Sequence, residues 1–184
     1  MKKEDIRIRI KAQKTLLSPE EKRQAALEAF ERLENHAAFL MAQRILMYHS
    51  LPDEISTLDF IEKWQHRKNF FLPRVNGVNL DILPYDQSTL KLGAFQIEEP
   101  QGDDTTDISE IEMIVVPAVA YDKRGNRVGR GKGYYDRLLA ETKAIKVGVA
   151  YDFQLVDEID AEPHDVKVDI IVTPRGVFSV KRST

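Results

Sequence analysis

Apolar and polar positions change period several times along the chain, and each change marks an element. Residues 2–16 place Lys3, Arg7, Lys11 and Lys14 at helical spacing with apolar positions between them, which predicts a first helix carrying a basic stripe. Ser18-Pro19-Glu20-Glu21 then combines a capping side chain, a proline in the first turn and a glutamate three residues after the cap. A second helix is expected from 19 to about 34. Ile45-Leu46-Met47-Tyr48 has the length and character of a buried strand, emerging into a loop at His49-Ser50-Leu51-Pro52. Ser56 or Thr57 can cap a helix running to about 67. Phe70-Phe71-Leu72 and Leu80-Asp81-Ile82-Leu83 read as strands separated by the turn signal Asn76-Gly77.

Residues 86–110, with Gly93, Pro100, Gly102 and several acids, read as a long surface connection. An apolar run over 111–116 ends at Pro117 and predicts a strand. A glycine-rich segment follows, then a helix starting near Gly133 or Tyr134, and two further apolar runs at 145–150 and 169–173. Strands alternating with helices predict a three-layer, Rossmann-like α/β fold with a mainly parallel central sheet flanked by helices. At 184 residues the chain suits a single domain, 1–184. Ligands of such folds bind outside the carboxyl ends of the strands, which here points to Pro117 and the turn beyond it.

Composition narrows the chemistry by exclusion. Hydrophobic residues at 42% and charged residues at 31% are ordinary for a globular chain, and a net charge of −3 provides no chain-wide attraction for nucleic acid or anionic lipid. With no cysteine there is no disulfide, thiolate metal site or cysteine nucleophile. The charged start Met1-Lys2-Lys3-Glu4-Asp5 leads into no signal-like apolar core, and no apolar run reaches the roughly 18 residues of a membrane span. A cytoplasmic protein with neither membrane nor nucleic-acid partners is expected. An RNA-binding module built on the basic first helix and an arginine-rich turn is the rival from another class, and the net charge argues against it.

Residues 123–133 hold five cations, four glycines and no acid within this acidic chain. Glycines let backbone amides approach an anion, and a helix starting just beyond adds its positive end. Arg127 and Arg130 can fork onto phosphate oxygens, and Lys132 supplies a compact charge. The segment is not a P-loop, because Asn126 stands where the first glycine belongs and Gly133 follows Lys132. Nor is it a dinucleotide fingerprint, since the glycines fall at Gly129, Gly131 and Gly133.

Pro117-Ala118-Val119-Ala120-Tyr121-Asp122, Gly125-Asn126-Arg127 and Val128-Gly129-Arg130-Gly131-Lys132-Gly133-Tyr134-Tyr135-Asp136 closely resemble the signature of 5-formyltetrahydrofolate cyclo-ligases, also called methenyltetrahydrofolate synthetases. Lys3-x-x-Ile6-Arg7, the stretch from His49 to Glu54, and Glu162-Pro163-His164-Asp165-Val166-Lys167-Val168-Asp169 extend the resemblance in the right order along the chain. Val128 and Ile6 stand where many relatives carry Leu, and both keep an apolar role. Between 86 and 110 the match is poor beyond residues 97–100.

The resemblance implies ATP and Mg2+ as co-substrate and cofactor and a folate as the small-molecule substrate, handled by a monomer. It places ATP on Arg127, Val128, Gly129, Arg130, Gly131, Lys132, Gly133, Tyr134 and Tyr135, with Lys3 and Arg7, one helical turn apart, closing from the other side. Asp136 and Asp165 would bind the metal. Glu54 would face the folate and pair with the donor-rich edge of the pterin, His49 would line the same pocket, and Tyr134 would stack on a ring or bond near the reacting group. Arg130, Lys132 and Tyr134 carry the catalytic expectation, and Arg130 and Tyr134 also touch the folate.

Overall fold

A computed structural model describes residues 1–92 and 98–181. Five α-helices and twelve strands are found among them. The first helix, α1, spans Lys3–Lys14, and α2 spans Pro19–Glu34. The Ser18 hydroxyl accepts from the Glu21 amide at 3.1 Å and the Glu21 carboxylate accepts from the Ser18 amide at 3.1 Å, so the sequence-predicted capping box forms. A short α3, Ala37–Met41, precedes β1, Arg44–Leu46. Next comes α4, Leu58–Trp64, which stops short of the expected end near 67. The chain turns there through bonds from the Arg67 and Lys68 amides to the Trp64 carbonyl. The buried Lys68 side chain then donates to the carbonyls of Phe39, Leu40 and Ala42, closing the carboxyl end of α3.

The hairpin of β2, Asn69–Asn76, and β3, Asn79–Pro84, turns at Gly77 with φ of 62°, as Asn76-Gly77 foretells. The described residues of the connection over 86–110 include two short strands, β4 at Lys91–Leu92 and β5 at Glu98–Glu99, and two single 3-10 turns. Gly93 and Ile97, singled out in the sequence, lie outside the described residues. The central β6, Met113–Val115, leads to a small hairpin of β7, Ala120–Asp122, and β8, Arg127–Val128. After α5, Tyr134–Leu139, the chain completes β9, Ile145–Val149, β10, Leu155–Val156, β11, Ile170–Thr173, and β12, Gly176–Ser179.

The main sheet runs β12-β11-β9-β6-β1-β2-β3, parallel from β11 to β2 with an antiparallel strand at each edge. Alternate residues of its strands face opposite layers, which is why the strand sequences read as unbroken apolar runs. Ile45, Phe70, Leu72, Met113, Val115, Ile170 and Val172 pack under Phe30, Leu33, Phe39, Phe60 and Ile61 of α2, α3 and α4. Leu46, Phe71, Ile114 and Ile171 face the other way, toward Leu138 and Leu139 of α5. The expected three-layer α/β architecture is present.

A third cluster fixes the amino-terminal helix. Ile6 and Ile10 of α1 are fully buried against Val119, Ala120, Val128 and Val156, on the small sheet of β10, β7 and β8. Burying two isoleucines contributes about 3 to 6 kcal/mol, enough to dock α1 firmly. Docking splits the basic stripe. Lys3 and Arg7 are half-buried, Lys14 is buried, and Lys11 remains exposed.

Candidate functional site

The carboxyl ends of the parallel strands open into a cleft of about 610 Å3. Tyr48 and His49 beyond β1 and Pro117 and Ala118 beyond β6 form its floor. Lys3 and Arg7 of α1, the turn from Gly129 to Asp136, and Glu162, His164 and Asp165 supply a charged side. Leu51, Pro73, Val75 and Leu80 supply an apolar side at the β2–β3 edge of the sheet.

The turn is built from its base upward. The fully buried Asp122 carboxylate accepts from the amides of Arg124, Asn126 and Ile159 and from the Asn126 side chain, each at 3.0 Å, pinning the loop between β7 and β8. Sequence reasoning gave Asp122 no role. Its signal was available in the Asp-x-x-Gly-Asn spelling of the turn, since an aspartate side chain commonly bonds backbone amides just ahead of it.

Beyond β8 the glycines permit a course closed to other residues. Gly131 and Gly133 have φ of 96° and 74°, in the left-handed region. A Cβ at Gly133 would stand 2.8 Å from Arg137 Nη1. That guanidinium bonds the Val78 carbonyl from Nε at 2.9 Å and from Nη2 at 2.6 Å, while the Tyr134 hydroxyl donates to the Gly77 carbonyl at 3.3 Å. Together they tie the start of α5 to the β2–β3 hairpin. The α5 helix has only six residues, so the dipole it adds is that of fewer than two turns.

Arg127 differs from the outward-facing phosphate fork expected of it. It is 6% exposed, with Nη1 donating to the Pro117 carbonyl at 3.2 Å and Nη2 to Asp136 Oδ1 at 3.3 Å, while its buried Nε has no partner among the described residues. It serves as an internal strut that still lines the cleft. Val128 turns the other way. Its side chain is fully buried in the α1 cluster and does not line the cleft, because β8 alternates Arg127 and Val128 across its two faces.

Arg130 and Lys132 are the exposed cations of the turn. Arg130 Nη2 bonds both carboxylate oxygens of Asp53, at 3.1 and 3.2 Å, and stands 3.8 Å from Glu54 Oε2. Lys14 Nζ approaches the same Asp53 at 3.6 Å. Arg7 Nε donates to the Gly129 carbonyl at 2.9 Å, and Lys3 Nζ pairs with Asp165 at 2.5 Å. Helix α1 therefore meets the turn and the 162–165 segment directly, as its one-turn spacing of Lys3 and Arg7 suggests.

Electrostatics separate the carboxylates. Burial raises the Glu54 pKa above the ordinary glutamate value, against the opposing pull of the Leu51 amide and Arg130. For Asp165, burial pushes upward too, but the Glu162 amide and Lys3 outweigh it and hold the carboxyl below its usual range. Burial keeps the Tyr48 and Tyr135 phenols protonated, with pKa values raised well above the ordinary one. Asp136 accepts from Arg127 and from the Val166 amide through Oδ1 alone. His49, Glu54, Tyr134, Tyr135, Asp136 and Asp165 all line the one cleft.

The model of the 5-formyltetrahydrofolate cyclo-ligase family matches residues 1–174. The chain belongs to the 5-formyltetrahydrofolate cyclo-ligase family. It is 32% identical over 179 residues to the 5-formyltetrahydrofolate cyclo-ligase of Escherichia coli K12, covering 92% of this chain and 98% of that one. It superposes on the structure of Aquifex aeolicus 5,10-methenyltetrahydrofolate synthetase with a TM-score of 0.89 and 31% identity, covering 99% and 94% of the two chains. A Mycoplasma pneumoniae 5,10-methenyltetrahydrofolate synthetase superposes at 0.77 and 26% identity, covering 95% and 99%. Among the described residues no helix is long and apolar enough to cross a membrane.

Proposed function

We propose that this cyclo-ligase family member converts 5-formyltetrahydrofolate to 5,10-methenyltetrahydrofolate at the expense of ATP. The single observation that carries the proposal is the cleft's division into a cationic side and an apolar side at the carboxyl ends of the strands. Lys3, Arg7, Arg130 and Lys132 suit a polyphosphate, and Pro73, Val75 and Leu80 suit a flat ring system.

The reaction asks little of a protein nucleophile. The formyl oxygen takes the terminal phosphoryl group of ATP as ADP leaves, nitrogen 10 attacks the activated carbon and gives up its proton, and the carbon–oxygen bond breaks to release phosphate as the ring closes. Positioning and charge neutralisation dominate such a transfer. Lys132 and Arg130 neutralise the phosphoryl oxygens, the amides of Gly129 to Gly133 cradle them, and Lys3 and Arg7 close over the chain of phosphates. Arg130 is already poised between the two sides, since it reaches Glu54 and Asp53 across the cleft. Glu54, His49 and Tyr134 contact the folate.

Magnesium suits the donors present. The ion takes one or two carboxylates along with phosphate oxygens and water. Asp136, whose Oδ2 accepts no hydrogen bond from the described residues, and Asp165 would hold it. When bound it would offset the negative charge of the phosphates. The proposal is tested by ATP- and Mg2+-dependent formation of the methenyl product from 5-formyltetrahydrofolate.

A further inference from the structure

The apolar side of the cleft contains one carboxylate that the sequence-level assignment passed over. Glu99, on β5, lines the cleft with a relative exposure of 7%, and its Oε2 accepts from the Val75 amide at 2.7 Å. Among the described residues Oε1 accepts no hydrogen bond and Glu99 forms no ion pair. A carboxylate so nearly buried loses most of its hydration, and one amide reaches only one of its two oxygens and about a quarter of its acceptor sites. The other oxygen asks for N–H donors.

Glu54 is in the opposite condition. Its Oε1 accepts from the Leu51 amide at 2.8 Å and its Oε2 stands 3.8 Å from the Arg130 guanidinium, so both oxygens already have donors or a cation. A cation already accompanies Glu54, whereas among the described residues none accompanies Glu99.

Position agrees with chemistry. Val75 belongs to β2 and Leu80 to β3, at the sheet edge, and β1 lies between them and β6, which leads to Pro117 and the cationic turn. Adjacent strands are about 4.8 Å apart, so β2 lies roughly 10 Å from β6. That is enough for a bicyclic ring to extend away from its reacting nitrogen.

We infer that Glu99 is a specificity-determining residue, its Oε1 accepting from the amino group and ring N–H of an aminopyrimidinone edge while the ring packs on Pro73, Val75 and Leu80. This rests on the proposed folate reading of the cleft.

The experiment compares wild type, E99Q and E54Q with 5-formyltetrahydrofolate and with its 2-desamino analogue. Gln at 99 can still accept from the Val75 amide, but it presents an NH2 group to the substrate's donors. E99Q is expected to raise KM for 5-formyltetrahydrofolate roughly 10- to 100-fold, the usual worth of a hydrogen bond to a charged group, with KM for ATP moving less than about threefold. In wild type the desamino analogue is expected to lose a similar factor, and E99Q is expected to lose almost nothing further on it, because the same contact is already gone. Independent, multiplying losses, or a wild-type KM in E99Q, would overturn the assignment, as would finding the non-additivity at E54Q instead. Wild-type protein that fails to turn over 5-formyltetrahydrofolate would count against the function itself and is thereby distinguished.

Discussion

Arg127 Nη2 lies 3.3 Å from Asp136 Oδ1, so a buried cation at the start of the glycine-rich turn holds the carboxylate at its end. The same guanidinium bonds the Pro117 carbonyl at the end of the central strand segment. One side chain thus relates the turn, the strand end and the proposed metal carboxylate. Lysine cannot reach both partners from one point charge. R127K is expected to keep the fold while raising the Mg2+ concentration for half-maximal rate roughly tenfold, the scale of losing a group that orients a ligand. A Mg2+ titration at saturating substrates checks this, and an unchanged midpoint would show that Asp136 does not need the strut.

The two direct tests of the turn are K132A and D136A. Lys132 is exposed and belongs to no buried core cluster, so K132A is expected to melt within a few degrees of wild type, whereas D136A leaves the buried Arg127 guanidinium without its carboxylate and is expected to melt lower. Turnover is expected to fall about 100- to 1000-fold in each, the usual cost of removing a group aimed at developing charge. Steady-state rates alongside thermal melts separate activity from stability. Wild-type rates in both variants would place the phosphate site elsewhere.

Sequence pattern disclosed much of this arrangement, and the parts it missed share a cause. Ser18-Pro19-Glu20-Glu21 and Asn76-Gly77 encode their structures within a few residues, and both form as read. The parallel strands were legible because burial on both faces leaves unbroken apolar runs. By contrast β7 and β8 are three and two residues long, too short to display any period, and appeared only as glycine-rich chain. Lys14 kept its place in the basic stripe by spacing, yet its burial depends on Asp53, 39 positions away. Arg127 and Arg130 look alike in sequence, and only the alternation of β8 and the nearby Pro117 carbonyl turn one inward and leave the other at the surface. Glu99 became visible as a site residue only once β5 was placed beside Val75.

Glu54 gives a pH test with a definite sign. Its folded-state pKa is raised above the ordinary 4.5, chiefly by burial, so the folded protein binds this proton more tightly than the unfolded chain does. The stability it contributes is full below about pH 4.5 and is lost as pH rises through the folded value. E54Q is therefore expected to melt roughly 2 to 4 °C above wild type at pH 7.5, the shift about 1 kcal/mol produces in a chain of this size, and the gain should shrink as pH approaches 4.5. The same variant is expected to lose folate turnover, a trade of function for stability. Melts across pH check the sign, and a variant less stable than wild type at pH 7.5 would show that the Leu51 and Arg130 contacts outweigh burial.

The most direct measurement is a single assay of the purified protein with 5-formyltetrahydrofolate, ATP and Mg2+, following the methenyl product by absorbance and ADP in parallel. The proposed function predicts the two products in equal amounts, with neither formed when ATP or Mg2+ is withheld. ADP released without the methenyl product, or no methenyl product in the complete mixture, would contradict it.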